Sequence, residues 1–128
     1  MLSPAIPLWC LLIAALMPYV IIAMAKSSTD YGNDDPRNMA GFQTPFRRRA
    51  HGAHLNCLEA FAFFAVAVLL ALVQHVPAAT LSLLALLWLL FRLVYVVLYL
   101  TGRGTLRSLV WFAASFASIA IYLAAIFH

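Results

Sequence analysis

The sequence predicts an all-α integral membrane protein, a single domain of four transmembrane helices, on two observations. Of its 128 residues 66% are hydrophobic and 9% charged, with a mean hydropathy of +0.97, which excludes a water-soluble globular domain. The charges, eight Lys or Arg and four Asp or Glu, leave residues 1–25, 60–91 and 108–128 with none. A hydrocarbon core about 30 Å thick takes roughly 20 apolar residues per helix. Each terminal block therefore holds one span, and the middle, taken past the single charges Glu59 and Arg92 on either side, is long enough for two.

The first span is expected over about 4–25. Pro4 and Pro7 stand where a helix start tolerates proline, and Pro18 is expected to kink the helix. Ala23, Met24 and Ala25 form an A-x-A pattern of the kind cut after a signal peptide. No Lys or Arg precedes it, however, and the apolar stretch exceeds the roughly 7–15 residues of a signal core, so a retained helix is the expectation. A polar loop with Gly32, Asn33, Asp34, Asp35 and Pro36 follows, running through the triple arginine Arg47, Arg48, Arg49. The second span is expected over about 52–73 and ends in the uncharged turn Gln74, His75, Val76, Pro77. The third covers about 78–100, the loop Thr101 to Thr105 follows, and the fourth covers about 106–127.

All Lys and Arg lie in or toward the loops between spans one and two and between spans three and four, Arg92 within the cytoplasmic half of the third span, while the 74–77 turn and both ends of the chain have none. Those two loops are expected in the cytoplasm and both termini outside it. The net charge of +4 is thus a topology signal, and basic residues scattered over two short loops make no groove for nucleic acid. Cys10 and Cys57 are expected in opposite leaflets, too far apart for a disulfide.

Two charges fall inside the spans. Glu59 and Arg92 are both expected roughly 10–12 Å below the cytoplasmic interface at about 1.5 Å rise per residue. A charge at the helix centre costs on the order of 2.5–3.5 kcal/mol, so such groups face the bundle and pair, and Glu59 with Arg92 is the natural pair. On a helical wheel Arg49, Asn56 and Glu59 share an arc of about 80°, and Arg92, Tyr95 and Tyr99 one of about 60°. These two polar stripes at one depth predict a cationic, hydrogen-bonding pocket half in the membrane, suited to an anionic polar ligand whose reaction partner is lipid-soluble. The bland alternative is that Glu59, Arg92 and Asn56 lock helices together while Tyr95 and Tyr99 belong to an interfacial aromatic belt. His51 and His54 have no second histidine at matching depth on another helix, so no metal or haem site is expected. Cys57 reads as apolar packing, and Ser108 as either a helper at the site or a helix-end packing residue.

The stretch Arg49, Ala50, His51, Gly52, Ala53, His54, Leu55, Asn56, Cys57, Leu58, Glu59 resembles the second-helix motif of the MAPEG family, the membrane-associated proteins in eicosanoid and glutathione metabolism, whose core is Ala-His-x-Asn-x-x-Glu preceded by arginines. Arg92 to Leu100 is similar to the family's Arg-x-x-[Tyr/His]-x-x-x-Tyr segment. With Arg107 and Ser108 opening the fourth helix, the chain resembles a bacterial-type member close to the microsomal glutathione transferase and prostaglandin E synthase branches. The resemblance implies a homotrimer with glutathione held between subunits as cosubstrate. It further implies a lipophilic small-molecule electrophile as substrate, in the manner of detoxification enzymes. Carried over by position, Arg49, His54, Asn56, Glu59, Arg92, Tyr95 and Tyr99 bind glutathione, and Arg107, with Ser108 as helper, stabilises its thiolate. Two positions depart from the family pattern. Gly52 stands where eukaryotic members commonly carry a second arginine, and Ala60 where some carry a tyrosine.

Three functional classes remain open on the sequence: a glutathione-dependent transferase or peroxidase; a lipid-binding or structural trimer without turnover; and a small proton-coupled transporter using Glu59. The charge-free first helix disfavours the last, because such transporters usually carry their essential acid there.

Overall fold

The computed structural model describes residues 5–25 and 45–128. Among these every regular element is a helix: α1 (Ala5–Ala25), α2 (Pro45–Val73), α3 (Ala78–Leu100) and α4 (Gly104–Phe127). All four are long and apolar enough to cross a membrane, and the protein is a multi-pass integral membrane protein. Pro4, Lys26, Arg37 and the stretch 32–36 lie outside the described residues.

The arginine triplet, expected in a loop, is helical, because α2 begins at Pro45. Proline fits the first helical position, where its missing N–H would have no partner; of the three arginines, Arg47 is buried, Arg48 exposed and Arg49 half-buried.

The helices form one bundle in which α2 and α3 are central. Each touches all the others, while α1 packs on α2 and α3, and α4 packs on the same pair from its own side. Lipid is as apolar as leucine, so close approach and dispersion hold membrane helices together, and small residues belong at the contacts. Ala67, Ala71, Ala85 and Ala114 are accordingly buried in the main core, where Phe64 and Trp88 stack with centroids 3.7 Å apart. A smaller core of Ile21, Ala50, Ala53 and Cys57 joins α1 to α2. There His54 Nδ1 lies 2.8 Å from the Pro18 carbonyl oxygen. A carbonyl only accepts, so the proton is on Nδ1. The outward faces are lined with Leu8, Val20, Leu69, Leu90, Phe116 and Ile126, all exposed.

Both tight turns end their helices in the same way. After α2, His75 takes φ 58°, and the N–H groups of His75 and Val76 bond the carbonyls of Leu72 and Ala71 at 3.2 and 3.0 Å. After α3, Gly102 takes φ 76°, and the N–H groups of Gly102 and Arg103 bond those of Tyr99 and Leu98 at 3.1 and 2.9 Å. These are Schellman caps, which satisfy orphan carbonyls and reverse the chain. The second brings the first turn of α4 directly against the last turn of α3.

One stability prediction follows. Ala67 has no exposed surface, so Ala67→Leu is expected to cost about 1–3 kcal/mol through overpacking. Leu69→Ala, on the lipid face, should cost under about 0.5 kcal/mol. Thermal unfolding of the detergent-purified protein compares the two.

Candidate functional site

Arg92 is the largest fully buried side chain, with 1% of its surface exposed. Its Nη2 donates to Asn56 Oδ1 at 2.8 Å and to Cys57 Sγ at 3.4 Å, and its Cζ lies 4.2 Å from the centroid of the Tyr95 ring. Asn56, expected in the polar stripe, is thus the hydrogen-bond acceptor that keeps a membrane guanidinium paired. Cys57 does more than pack, since its sulfur shares that donor.

The expected ion pair between Glu59 and Arg92 is corrected by the structure. Among the described residues Arg92 bonds Asn56 and Cys57, and no ion pair joins it to Glu59. The reason is azimuthal. Glu59 is turned about 60° around α2 from Asn56 and is exposed on the side of the bundle, whereas Arg92 is interior.

Two adjoining cavities share Asn56, Glu59 and Trp111. The larger, about 510 Å³, is lined by Gly52, Leu55, Asn56, Glu59, Tyr95, Tyr99, Arg107, Ser108, Trp111 and Phe112. The smaller, about 160 Å³, adds Arg92, Trp88, Ser115 and Ser118. Six expected site residues, Asn56, Glu59, Tyr95, Tyr99, Arg107 and Ser108, therefore meet around one space, and Arg92 borders its neighbour.

Arg107 arrives from the first turn of α4, and its Cζ sits 4.5 Å from the centroid of Tyr99. Tyr99 in turn meets Tyr95 edge-on, with centroids 5.8 Å apart and planes at 74°. The result is a ladder of Arg92, Tyr95, Tyr99 and Arg107 along the α3–α4 seam. Each cation–π contact contributes about 0.5–1 kcal/mol when exposed and about 2 when desolvated. Stacking uses the face of a guanidinium and leaves its in-plane donors available. Two guanidinium groups against the single carboxylate of Glu59 make the combined space net cationic.

Two expected residues are turned elsewhere. Arg49 Nε donates to the Leu100 carbonyl at 3.1 Å, capping the C-terminus of α3 where a cation suits the helix dipole. His54 is held by Pro18 on the α1 side and is not among the cavity-lining residues. Ser108 lines the cavity, but its hydroxyl donates back to the Gly104 carbonyl at 3.2 Å. Among the described residues no group of three or more His, Cys, Asp or Glu side chains gathers to hold a metal ion.

Sequence reasoning missed Leu55, Trp111, Phe112 and Ser118. Ser108, Trp111, Ser115 and Ser118 recur at the spacing of one α4 face, a signal that could have found Trp111 and Ser118. Leu55 and Phe112 carry no such signal in so apolar a chain. Ser118 is 1% exposed, and among the described residues its Oγ has no hydrogen-bond partner.

The profile of the MAPEG family matches residues 6–127. No curated protein and no solved structure gives a significant match.

Two variants separate structural from ligand roles in this region. Asn56→Ala is expected to destabilise the ligand-free protein by about 1.5–3 kcal/mol, because it strips a buried cation of its acceptor; unchanged thermal stability would show that Arg92 is satisfied otherwise. Ser118→Ala removes a buried hydroxyl without a partner and is expected to stabilise the protein by about 1 kcal/mol in the same measurement.

Proposed function

The chain belongs to the MAPEG family, and on that premise we propose that it is a membrane-embedded glutathione-dependent transferase or peroxidase acting on lipophilic electrophiles. The observation that carries this reading is the convergence of Arg107, Tyr99, Tyr95, Asn56 and Glu59 on one cavity of about 510 Å³, within the size range of small-molecule pockets. Glutathione carries two carboxylates, one ammonium group and a thiol. The donor set fits it, with Arg92 and Arg107 for anionic groups, Glu59 for the ammonium and the tyrosine hydroxyls and Asn56 for amides. Bound there, glutathione supplies the sulfur nucleophile.

Arg107 favours the thiolate over the thiol. A free thiol titrates near 8.5, and a guanidinium, which stays charged when partly desolvated, lowers that value by stabilising the anion. Its in-plane donors are available for this while Tyr99 holds its face. Leu55, Trp111 and Phe112 form an apolar wall against which an electrophile arriving from the bilayer rests. The same geometry serves conjugation at an electrophilic carbon and reduction of a lipid hydroperoxide. Gly52 and Ala60 remove two polar groups seen in other members, so carboxylate recognition falls to Arg92 and the arginines near the start of α2.

Glu59 supports a homotrimer. A carboxylate exposed on the side of the protomer at membrane depth cannot face hydrocarbon without a large cost, and a neighbouring subunit completing the site covers it. The neutral 74–77 turn and the basic α3–α4 loop support cytoplasmic placement of the site, with both termini outside.

Equilibrium binding of glutathione to the detergent-purified protein, read together with thiolate ultraviolet absorbance, tests the assignment. The wild type is expected to bind and to show the thiolate band; Arg107→Ala is expected to lose about tenfold or more of the thiolate near neutral pH while keeping its oligomeric size. Absence of binding at millimolar glutathione would overturn the proposal and leave a lipid-binding or structural role.

A further inference from the structure

We propose that Gly52 is a positioning residue of the site: the lack of a side chain there lets Tyr99 close against α2, and the seated Tyr99 ring holds Arg107 at the cavity wall. The inference rests on the preceding reading of Arg107 as the group that stabilises the thiolate.

Glycine in the middle of a helix is unfavourable, and Gly52 lies well inside α2 without the positive φ that explains Gly102. Backbone freedom is therefore not what the position requires. Space is. A Cβ on Gly52 would overlap the Tyr99 hydroxyl oxygen and come within 2.9 Å of its Cζ and 3.4 Å of its Cε1. The ring thus lies directly on the α2 backbone, closer than any other residue type at position 52 allows.

Tyr99 is confined from three sides: by Gly52, by the edge-on Tyr95 ring at 5.8 Å, and by the Arg107 guanidinium at 4.5 Å. The charged end of Arg107 rests on the Tyr99 face. Among the described residues no side-chain hydrogen bond engages that guanidinium. Gly52, Tyr99 and Arg107 line the same cavity, so a side chain at 52 displaces the ring and with it the platform that aims the donors of Arg107.

The test uses the full chain reconstituted in lipid, with Gly52→Ala, Tyr99→Leu and the double variant. The thiolate absorbance of bound glutathione is followed against pH. Gly52→Ala is expected to move the titration upward by about one pH unit, a tenfold loss of thiolate below it, and Tyr99→Leu to do the same. The double variant should be no worse than either, because both changes remove one contact. Tyr99→Phe keeps the ring but loses the hydroxyl, so it is expected to weaken glutathione binding while the titration of the glutathione that does bind stays near the wild-type value. Additive losses, or an unchanged titration in Gly52→Ala, would overturn the proposal.

A second readout needs no glutathione. The Arg107 Nε–H proton, assigned by its disappearance in Arg107→Lys, is expected to show an upfield ring-current shift in the wild type that is lost in Gly52→Ala. Should the wild type bind no glutathione, the functional reading fails while this shift still decides the positioning claim, and its persistence in Gly52→Ala overturns that claim. Should Gly52→Ala not assemble, the double variant, which relieves the overlap, is expected to assemble, and failure there would also count against it.

Discussion

Arg92 is buried at membrane depth, and a guanidinium there must find its hydrogen-bond partners inside the protein. The rest of the site depends on how that requirement is met. Asn56 supplies a carbonyl at 2.8 Å, Cys57 a sulfur at 3.4 Å and Tyr95 a ring face at 4.2 Å. Meeting it ties the middle of α2 to α3 at one level. With those helices registered, Tyr95 and Tyr99 present one face toward α4. Glu59, not paired with Arg92, is left exposed at the side of the bundle, where it lines the cavity.

The second determinant is the tight turn between α3 and α4. Gly102 in the left-handed region closes a Schellman cap within a few residues, and Arg49 caps the carbonyl of Leu100 beside it. A longer or looser connection would let the first turn of α4 drift. As it stands, Arg107 is delivered onto Tyr99, and Ser108, Trp111 and Phe112 follow as the outer wall of the cavity. Arg49, read from sequence as a ligand contact, thus contributes at least in part by holding the frame.

The bundle combines two requirements that conflict in a membrane. Its outer faces are apolar and its helix contacts are small alanines, as dispersion-driven packing demands. Its polar groups gather at one end between α2, α3 and α4. Where a polar group finds no partner among the described residues, as with Ser118 at the inner cavity, the interior carries a local cost.

Composition and spacing determined the helical class, the number of membrane helices and the family, because hydropathy blocks and the Ala-His-x-Asn-x-x-Glu and Arg-x-x-Tyr-x-x-x-Tyr patterns are properties of the chain alone. Spacing also placed Asn56, Glu59, Tyr95 and Tyr99 in a common set, to which the family resemblance added Arg107 and Ser108, and the fold gathers all six around one cavity. What the sequence could not supply was the rotation of one helix against another. Shared depth made Glu59 the apparent partner of Arg92, yet about 60° of azimuth gave that place to Asn56. The same rotation turned His54 toward Pro18 and made Gly52, a residue with no side chain, the floor beneath Tyr99. Periodicity relates residues within a helix, whereas the angle between helices is set by packing, and only the tertiary structure contains it.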